Sequence, residues 1–311
     1  MIGINKIGVY IPENRISNLT KLSKFETDED FIINKIGIEK VSLKNKDEDV
    51  SDMCVKAFEN LNSKGTIDCN IIKAIILVTQ NPESNIPHTS AIIHDKLKLP
   101  SDCACFDISL GCSGYVYGLS VLKSFMQTNN IENALLFTCD PYSKIMDMED
   151  KNTSLLFGDA ASVTYLSNKS PLFSIEKFTF GTIGKESHNL TAGINGSKLF
   201  MNGRGIYNFV IRNIPNDLKK LYELNSIKES QVDRFLFHQG SKYMLDALTK
   251  RMKLDPAKVI FGASKYGNTV SSSIPLLLNE DIDNENGSKH IVLSGFGVGL
   301  SWSSTLLIKL K

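Results

Sequence analysis

Three residues set far apart in the sequence are equipped for nucleophilic chemistry: Cys112, His238 and Asn268. Cys112 stands in Asp107-Ile108-Ser109-Leu110-Gly111-Cys112-Ser113-Gly114-Tyr115, where a strand-like run ends in small residues. Tyr115, Leu119, Leu122 and Met126 then recur at helical spacing, which places the cysteine on a tight turn at a helix N-terminus. Unpaired backbone N–H groups and the positive end of the helix dipole favour a thiolate there, and a thiolate attacks carbonyl carbon. The same amides suit a developing oxyanion. A packed structural cysteine fits such a turn equally well. His238 ends the apolar run Phe235-Leu236-Phe237, either as a working imidazole or as a hydrogen-bonded core residue. Asn268, in Tyr266-Gly267-Asn268-Thr269-Val270-Ser271-Ser272-Ser273, is either a turn residue or a neutral donor aimed at a substrate oxygen. The late segment Gly295-Phe296-Gly297-Val298-Gly299-Leu300-Ser301-Trp302 allows close backbone approach to a ligand but lacks the lysine of a phosphate loop.

Taken together these residues leave two reaction classes open. Cysteine proteases use Cys, His and Asn in the same chain order, and the separation 238 − 112 = 126 falls just short of the papain-type range of about 130 to 150. The papain-type C-G-S-C-W context is absent, however, and Cys112 lies far from the N-terminus. The other class is thioester chemistry, in which the thiolate takes an acyl group while His and Asn donors hold the oxygen of a carbanion-forming partner.

The elements that must position these groups follow from the apolar pattern. Ala74 to Val78, Ala134 to Phe137, Ser162 to Leu166, Phe235 to Phe237 and His290 to Ser294 are short apolar runs of strand length. Ser51 to Leu61, Gly114 to Met126 and Tyr243 to Met252 carry helical spacing. The alternation predicts an α/β chain with a largely buried sheet, written twice over. The polar stretch Ser167-Asn168-Lys169-Ser170-Pro171 puts the boundary at 168, giving halves 1–168 and 169–311. Lys44 to Asp49 and residues 281–289 read as solvated, mixed-charge loops.

A chain of 311 residues allows two such domains. Its charge sum, 35 − 34 = +1, provides no global field for nucleic acid or an anionic membrane, so a polyanionic partner needs a local basic patch. The absence of an apolar run of about 18 residues, and of a signal-peptide pattern at the start, points to the cytoplasm. Six cysteines without a C-x-x-C pair argue against zinc.

The motifs together resemble the β-ketoacyl-acyl-carrier-protein synthase III family of the thiolase fold over essentially the whole chain. Gly8 to Asn14 looks like that family's opening strand and turn, and Asp107 to Leu119 its nucleophile segment. Leu156-Phe157-Gly158-Asp159-Ala160-Ala161 is similar to its F-G-D-G-A motif, and His238-Gln239, Gly267-Asn268-Thr269 and Gly295 to Trp302 match its remaining signatures. The resemblance implies two βαβαβαββ halves about a pseudo-twofold axis, forming a five-layered αβαβα core, usually in a homodimer. It implies that Cys112 accepts an acyl group from a thioester, with the oxyanion on the N–H groups of Cys112 and Val298, and that His238 and Asn268 stabilise the enolate formed when a malonyl thioester loses CO2. Neither a metal nor a resident cofactor is implied; acyl-coenzyme A and acyl carrier protein are substrates and partners.

Departures from the family pattern bear on the substrate. Phe31 and Lys151 stand where typical members have a tryptophan and an arginine sandwiching the adenine of coenzyme A, and Lys35 replaces another arginine. An Arg-to-Lys change at a stacking position loses the planar guanidinium. The usual H-Q-A-N becomes His238-Gln239-Gly240-Ser241, and Val298 replaces a glycine. Arg204 and Ser241 complete the substrate-binding expectations. Ile86 falls where the family reaches into the partner subunit's acyl pocket, and Lys250 and Arg251 on the face that docks the carrier. A non-decarboxylating acyltransferase, a specialised synthase of the same fold, a catalytically idle assembly partner and a hydrolase are the competing functions.

Overall fold

A computed structural model of the chain describes residues 1–193, 196–283 and 287–310. The first half runs β1 (Gly3–Tyr10), α1 (Val50–Ser63), β2 (Ala74–Val78), α2 (Thr89–Lys96), β3 (Ala104–Ile108), α3 (Gly114–Thr128), β4 (Asn133–Cys139) and β5 (Ala161–Ser167). The second runs β6 (Phe173–Thr182), α4 (Gly203–Asn225), β7 (Arg234–Phe237), α5 (Lys242–Met252), α6 (Ser273–Ile282), β8 (His290–Gly297) and β9 (Ser301–Lys309). Residue 168 falls in the connection between β5 and β6.

These nine strands form one hydrogen-bonded series, β7-β8-β9-β6-β1-β5-β4-β2-β3, beside two short two-stranded pairs, Arg15–Ser17 with Lys40–Ser42 and Leu190–Thr191 with Phe200–Met201. In the first half β2 lies parallel to β3 and β4, while β5 runs antiparallel to both β4 and β1. The second half repeats the pattern: β7 is parallel to β8, and β9 is antiparallel to both β8 and β6. Its counterpart of β3 has shrunk to a single parallel bridge, Phe235 with Val259. Among the described residues the half-sheets pair only through Gly3 opposite Ser174 and Ile4 opposite Phe173.

Helices α3 and α6 touch strands of both halves and form the middle of five layers, with α1 and α2 outside one half-sheet and α4 and α5 outside the other. The apolar pattern explains this arrangement. Strand β2 is buried throughout; Ala74, Ile76 and Val78 enter the central cluster while Ile75 and Leu77 enter the outer one, the period of two expected of a strand covered on both faces. Tyr115, Leu119, Leu122 and Met126 of α3 pack with Ile274, Leu277 and Leu278 of α6 in that centre. Each such side chain contributes about 1.5–3 kcal/mol by leaving water.

Two loop expectations change. In Lys44 to Asp49, Glu48 is buried; its carboxylate accepts from Lys56 Nζ and from the Asn45 N–H, and Asp49 caps α1 while pairing with Lys144 at 2.9 Å. A buried carboxylate persists only when it is paired in this way. In the segment 281–289, residues 284–286 lie outside the described residues. Asp281 belongs to α6 and accepts from the Ser288 hydroxyl at 3.0 Å, so this stretch is not solvated throughout.

Candidate active site

Cys112 occupies the turn between β3 and α3, two residues before the helix begins at Gly114. It is buried against the segment that follows β8. A Cβ on Gly297 would come within 2.6 Å of the cysteine sulfur, so this glycine is required by close approach. The backbone amides of Val298 and of Cys112 itself act on the sulfur in the sense that favours its charged form, and Val298 is not among the residues of positive φ.

Burial nevertheless dominates the thiol, pushing its pKa up to about 12 against those two amides, with the nearby Asp140 charge acting in the same direction as burial. The helix N-terminus was expected to favour the thiolate. Desolvation of the charged form outweighs it in the substrate-free site.

His238 follows β7 and is buried, its N–H bonded to the Ser294 carbonyl at 2.9 Å. Burial lowers the imidazole to about 3, so it is neutral at physiological pH. Asn268 is held across the halves by a parallel bridge to Phe157: its N–H donates to the Leu156 carbonyl at 2.8 Å, and its carbonyl accepts from the Gly158 N–H at 3.0 Å. A Cβ at Gly158 would lie 1.9 Å from the Tyr266 carbonyl oxygen, which explains a glycine at the centre of that motif. The Val270 N–H donates to Asn268 Oδ1 at 2.9 Å and thereby turns Nδ2 toward His238 Nε2, 3.4 Å away. Val270 does this with φ at 53°, an unusual conformation for a β-branched residue and one found where function demands it.

Cys112, His238 and Asn268 therefore share one cavity of about 510 Å³. Phe157, Leu190, Met201 and Ile206 supply apolar lining. Of the expected substrate residues, Phe31, Lys151, Arg204 and Ser241 line this cavity, and Ser241 also caps α5 by accepting from the Met244 N–H at 3.3 Å. Lys35 is exposed outside it, with Nζ 6.0 Å from the Phe31 ring centre; Lys151 Nζ sits over the same ring at 4.8 Å and donates to the Phe25 carbonyl at 3.0 Å. Ile86 is 88% exposed on a loop away from the cavity. Lys250 and Arg251 are exposed near the end of α5 and line a neighbouring groove with Lys253, which is bounded by Tyr207 and Tyr243 at the cavity rim.

Several residues of the site were not anticipated. Asp140 directly follows β4 and is buried; it accepts from the Gln80 N–H at 2.6 Å and the Ser271 hydroxyl at 2.7 Å, and burial raises its carboxyl to about 6. Tyr142 is buried near the thiol, its hydroxyl donating to Gln80 Oε1 at 3.2 Å. Ser273 meets His238 Nδ1 at 2.9 Å. Its place in the run Ser271-Ser272-Ser273 beside Asn268 was the available signal. No group of three or more potential metal-ligating side chains occurs among the described residues, and no described helix is long and apolar enough to cross a membrane.

A duplicated βαβαβαββ architecture around a buried Cys, His and Asn defines a thiolase-like enzyme of the acyl-transferring, condensing class. Comparison with known proteins gives the family. Residues 106–184 match the model for 3-oxoacyl-[acyl-carrier-protein] synthase III, and residues 222–309 match that for its C-terminal region. The chain is 30% identical to the β-ketoacyl-[acyl-carrier-protein] synthase III of Streptococcus equi subsp. zooepidemicus over 323 residues, covering 99% of this chain and 98% of the relative. It is 29% identical to that of Lactococcus lactis subsp. cremoris, covering 98% of each. The solved 3-oxoacyl-[acyl-carrier-protein] synthase III of Aquifex aeolicus superposes with a TM-score of 0.91 at 27% identity, covering 99% of this chain and 100% of the other. The chain belongs to the β-ketoacyl-[acyl-carrier-protein] synthase III family.

Proposed function

We propose that the enzyme performs a decarboxylative Claisen condensation through an acyl-Cys112 intermediate. The observation that carries this reading is the pair of nitrogens, Asn268 Nδ2 and His238 Nε2, 3.4 Å apart in the cavity that contains Cys112. At that separation both N–H groups can meet one oxygen at about 2.9 Å. The Cys112 sulfur attacks an acyl thioester as the thiolate, the carbonyl electrons moving onto an oxygen that rests on the N–H groups of Cys112 and Val298. Collapse expels the donor's thiolate, which leaves as a thiol with the proton that Cys112 gave up. A malonyl thioester then loses CO2; the electrons of the broken C–C bond form an enolate whose oxygen accepts from His238 and Asn268. Each donor is worth about 3 kcal/mol. The enolate carbon attacks the acyl-Cys112 carbonyl, releasing the sulfur and a 3-oxoacyl thioester.

The pantetheine arm of either substrate runs past Ser241 and Arg204, with Phe31, Lys35 and Lys151 at the mouth. A base stacked between two groups needs two van der Waals separations of about 3.5 Å each. Lys151 Nζ at 4.8 Å from Phe31 already fills that space, which favours a carrier-protein donor over coenzyme A. An acidic carrier suits the groove of Lys250, Arg251 and Lys253. The unpaired edge of β3 and the exposed Phe180 of β6, packed against the half-buried Tyr117 of α3, support a homodimer in which Ile86 reaches the partner's acyl site. Six free cysteines support a cytoplasmic location.

The test follows intact mass after incubation with acyl-carrier and acyl-coenzyme A donors, then CO2 release on addition of a malonyl carrier. A Cys112 adduct absent from Cys112→Ala and discharged by the malonyl partner supports the reading. Discharge by water alone makes the protein a hydrolase, and transfer to an amine or hydroxyl makes it a non-decarboxylating acyltransferase.

A further inference from the structure

The side of His238 that faces away from the substrate decides what its other nitrogen can do. Neutral imidazole carries one proton, so Nε2 is a donor only when Nδ1 is an acceptor. Nδ1 lies 2.9 Å from the hydroxyl of Ser273, the first residue of α6, which is itself buried. That hydroxyl accepts from the Gln239 N–H at 3.4 Å and has a second acceptor in reach, the Val270 carbonyl at 3.1 Å. The carbonyl, however, already receives the backbone N–H of Ser273. The carbonyl keeps a second lone pair, so the hydroxyl proton has two acceptors in reach, and Nδ1 is the shorter contact of the two.

The opposite side of the ring agrees. Were Nε2 the acceptor, Asn268 would spend its N–H on the imidazole, yet the 3.4 Å separation is long for such a bond, whose usual length is about 2.9–3.0 Å. Two donors side by side, each waiting for a third atom, fit that spacing better.

We propose that Ser273 is a positioning residue that holds His238 in the Nε2–H tautomer and so gives the enolate its second donor. The inference rests on the condensing reading above. It separates the two half-reactions, because acyl loading uses the sulfur and the backbone amides of Cys112 and Val298, whereas decarboxylation uses Nε2–H. Without the hydroxyl, the Val270 carbonyl, which also faces the ring, remains as partner for Nδ1. It can only accept, so the proton moves to Nδ1 and Nε2 presents a lone pair to the enolate.

In Ser273→Ala, Cys112 should load within about threefold of the wild-type rate, while CO2 release from the malonyl carrier should fall about 10²-fold, as for the loss of one oxyanion donor. Ser273→Thr, which keeps a hydroxyl, should recover most of that loss. Nitrogen NMR of histidine-labelled protein should show the His238 proton on Nε2 in the wild type and on Nδ1 in Ser273→Ala. Equal loss of both half-reactions, unchanged CO2 release, or the same tautomer in both proteins would overturn the proposal. If the wild type loads but never decarboxylates, the condensing reading fails instead, and the NMR comparison alone decides the role of Ser273.

Discussion

The two halves share a strand order and diverge where that order ends. The first keeps its fifth strand, β3, as a full five-residue edge and turns directly from it into Cys112 and α3. The second has lost that strand to the single Phe235–Val259 bridge, and the freed chain between Val259 and α6 wanders far enough to carry Asn268 across to Phe157. One copy of the fold thus provides a nucleophile on a short, stiff turn. The other provides donors on a long connection anchored by the first. Duplication gave two middle helices with N-termini at the site, and loop length decided which became the nucleophile's and which the donors'.

That contrast predicts opposite pH behaviour in the two halves. With the thiol near 12, the thiolate fraction rises tenfold per pH unit, so alkylation of Cys112 should accelerate about 10³-fold from pH 7 to 10. A plateau near pH 8 would mean the helix terminus governs after all. Over the range 5 to 8, decarboxylation should show no inflection from His238, whose lowered pKa keeps it neutral throughout.

Removing a donor from the second half should affect one half-reaction. Asn268→Ala should reduce CO2 release about 10²–10³-fold while leaving Cys112 loading nearly intact; comparable losses in both would put Asn268 in the nucleophile's service.

At the seam, Asp140 of the first half receives Ser271 of the second. Its folded pKa of about 6 lies above the unfolded value of about 3.9, so the folded state holds the proton longer and stability falls as pH rises through that window. Relative to Asp140→Asn, the wild type should lose about 3 kcal/mol between pH 3 and 7. Parallel stability curves for the two proteins in chemical denaturation would contradict this.

The smallest effect concerns the edges. In the homodimer proposed above, Phe106→Glu on β3 should weaken self-association at least about tenfold in sedimentation velocity. Val259→Glu, at the vestigial edge, should leave it unchanged.

Much of this was legible beforehand because apolar spacing reports burial one residue at a time. The strand at 74–78, the helix after Cys112 and the run into His238 were readable for that reason. What escaped depends on contacts and backbone geometry that no single segment reports. Nothing local to Asp140 says that Ser271 will donate to it, and nothing local to Val270 says that its backbone will be bent to aim Asn268. Glu48, read as part of a solvated loop, is buried because Lys56, eight residues on, lies beside it in the folded chain. The thiol of Cys112 was misjudged for a related reason: a helix terminus is visible in one segment, whereas desolvation is the sum of every neighbour.

The bridge between Phe157 and Asn268 has a consequence for how such a chain can be divided. A cut in the 168–172 connection would leave each fragment with strands of its own but without a working centre, since the backbone that carries the amide donor is bonded to Leu156 and Gly158 of the other piece. Two separately inactivated copies, one bearing Cys112→Ala and the other Asn268→Ala, should not regain activity by mixing as intact chains, whereas complementary fragments should regain it only on reassociation. Condensing activity would then serve as a readout of fragment docking.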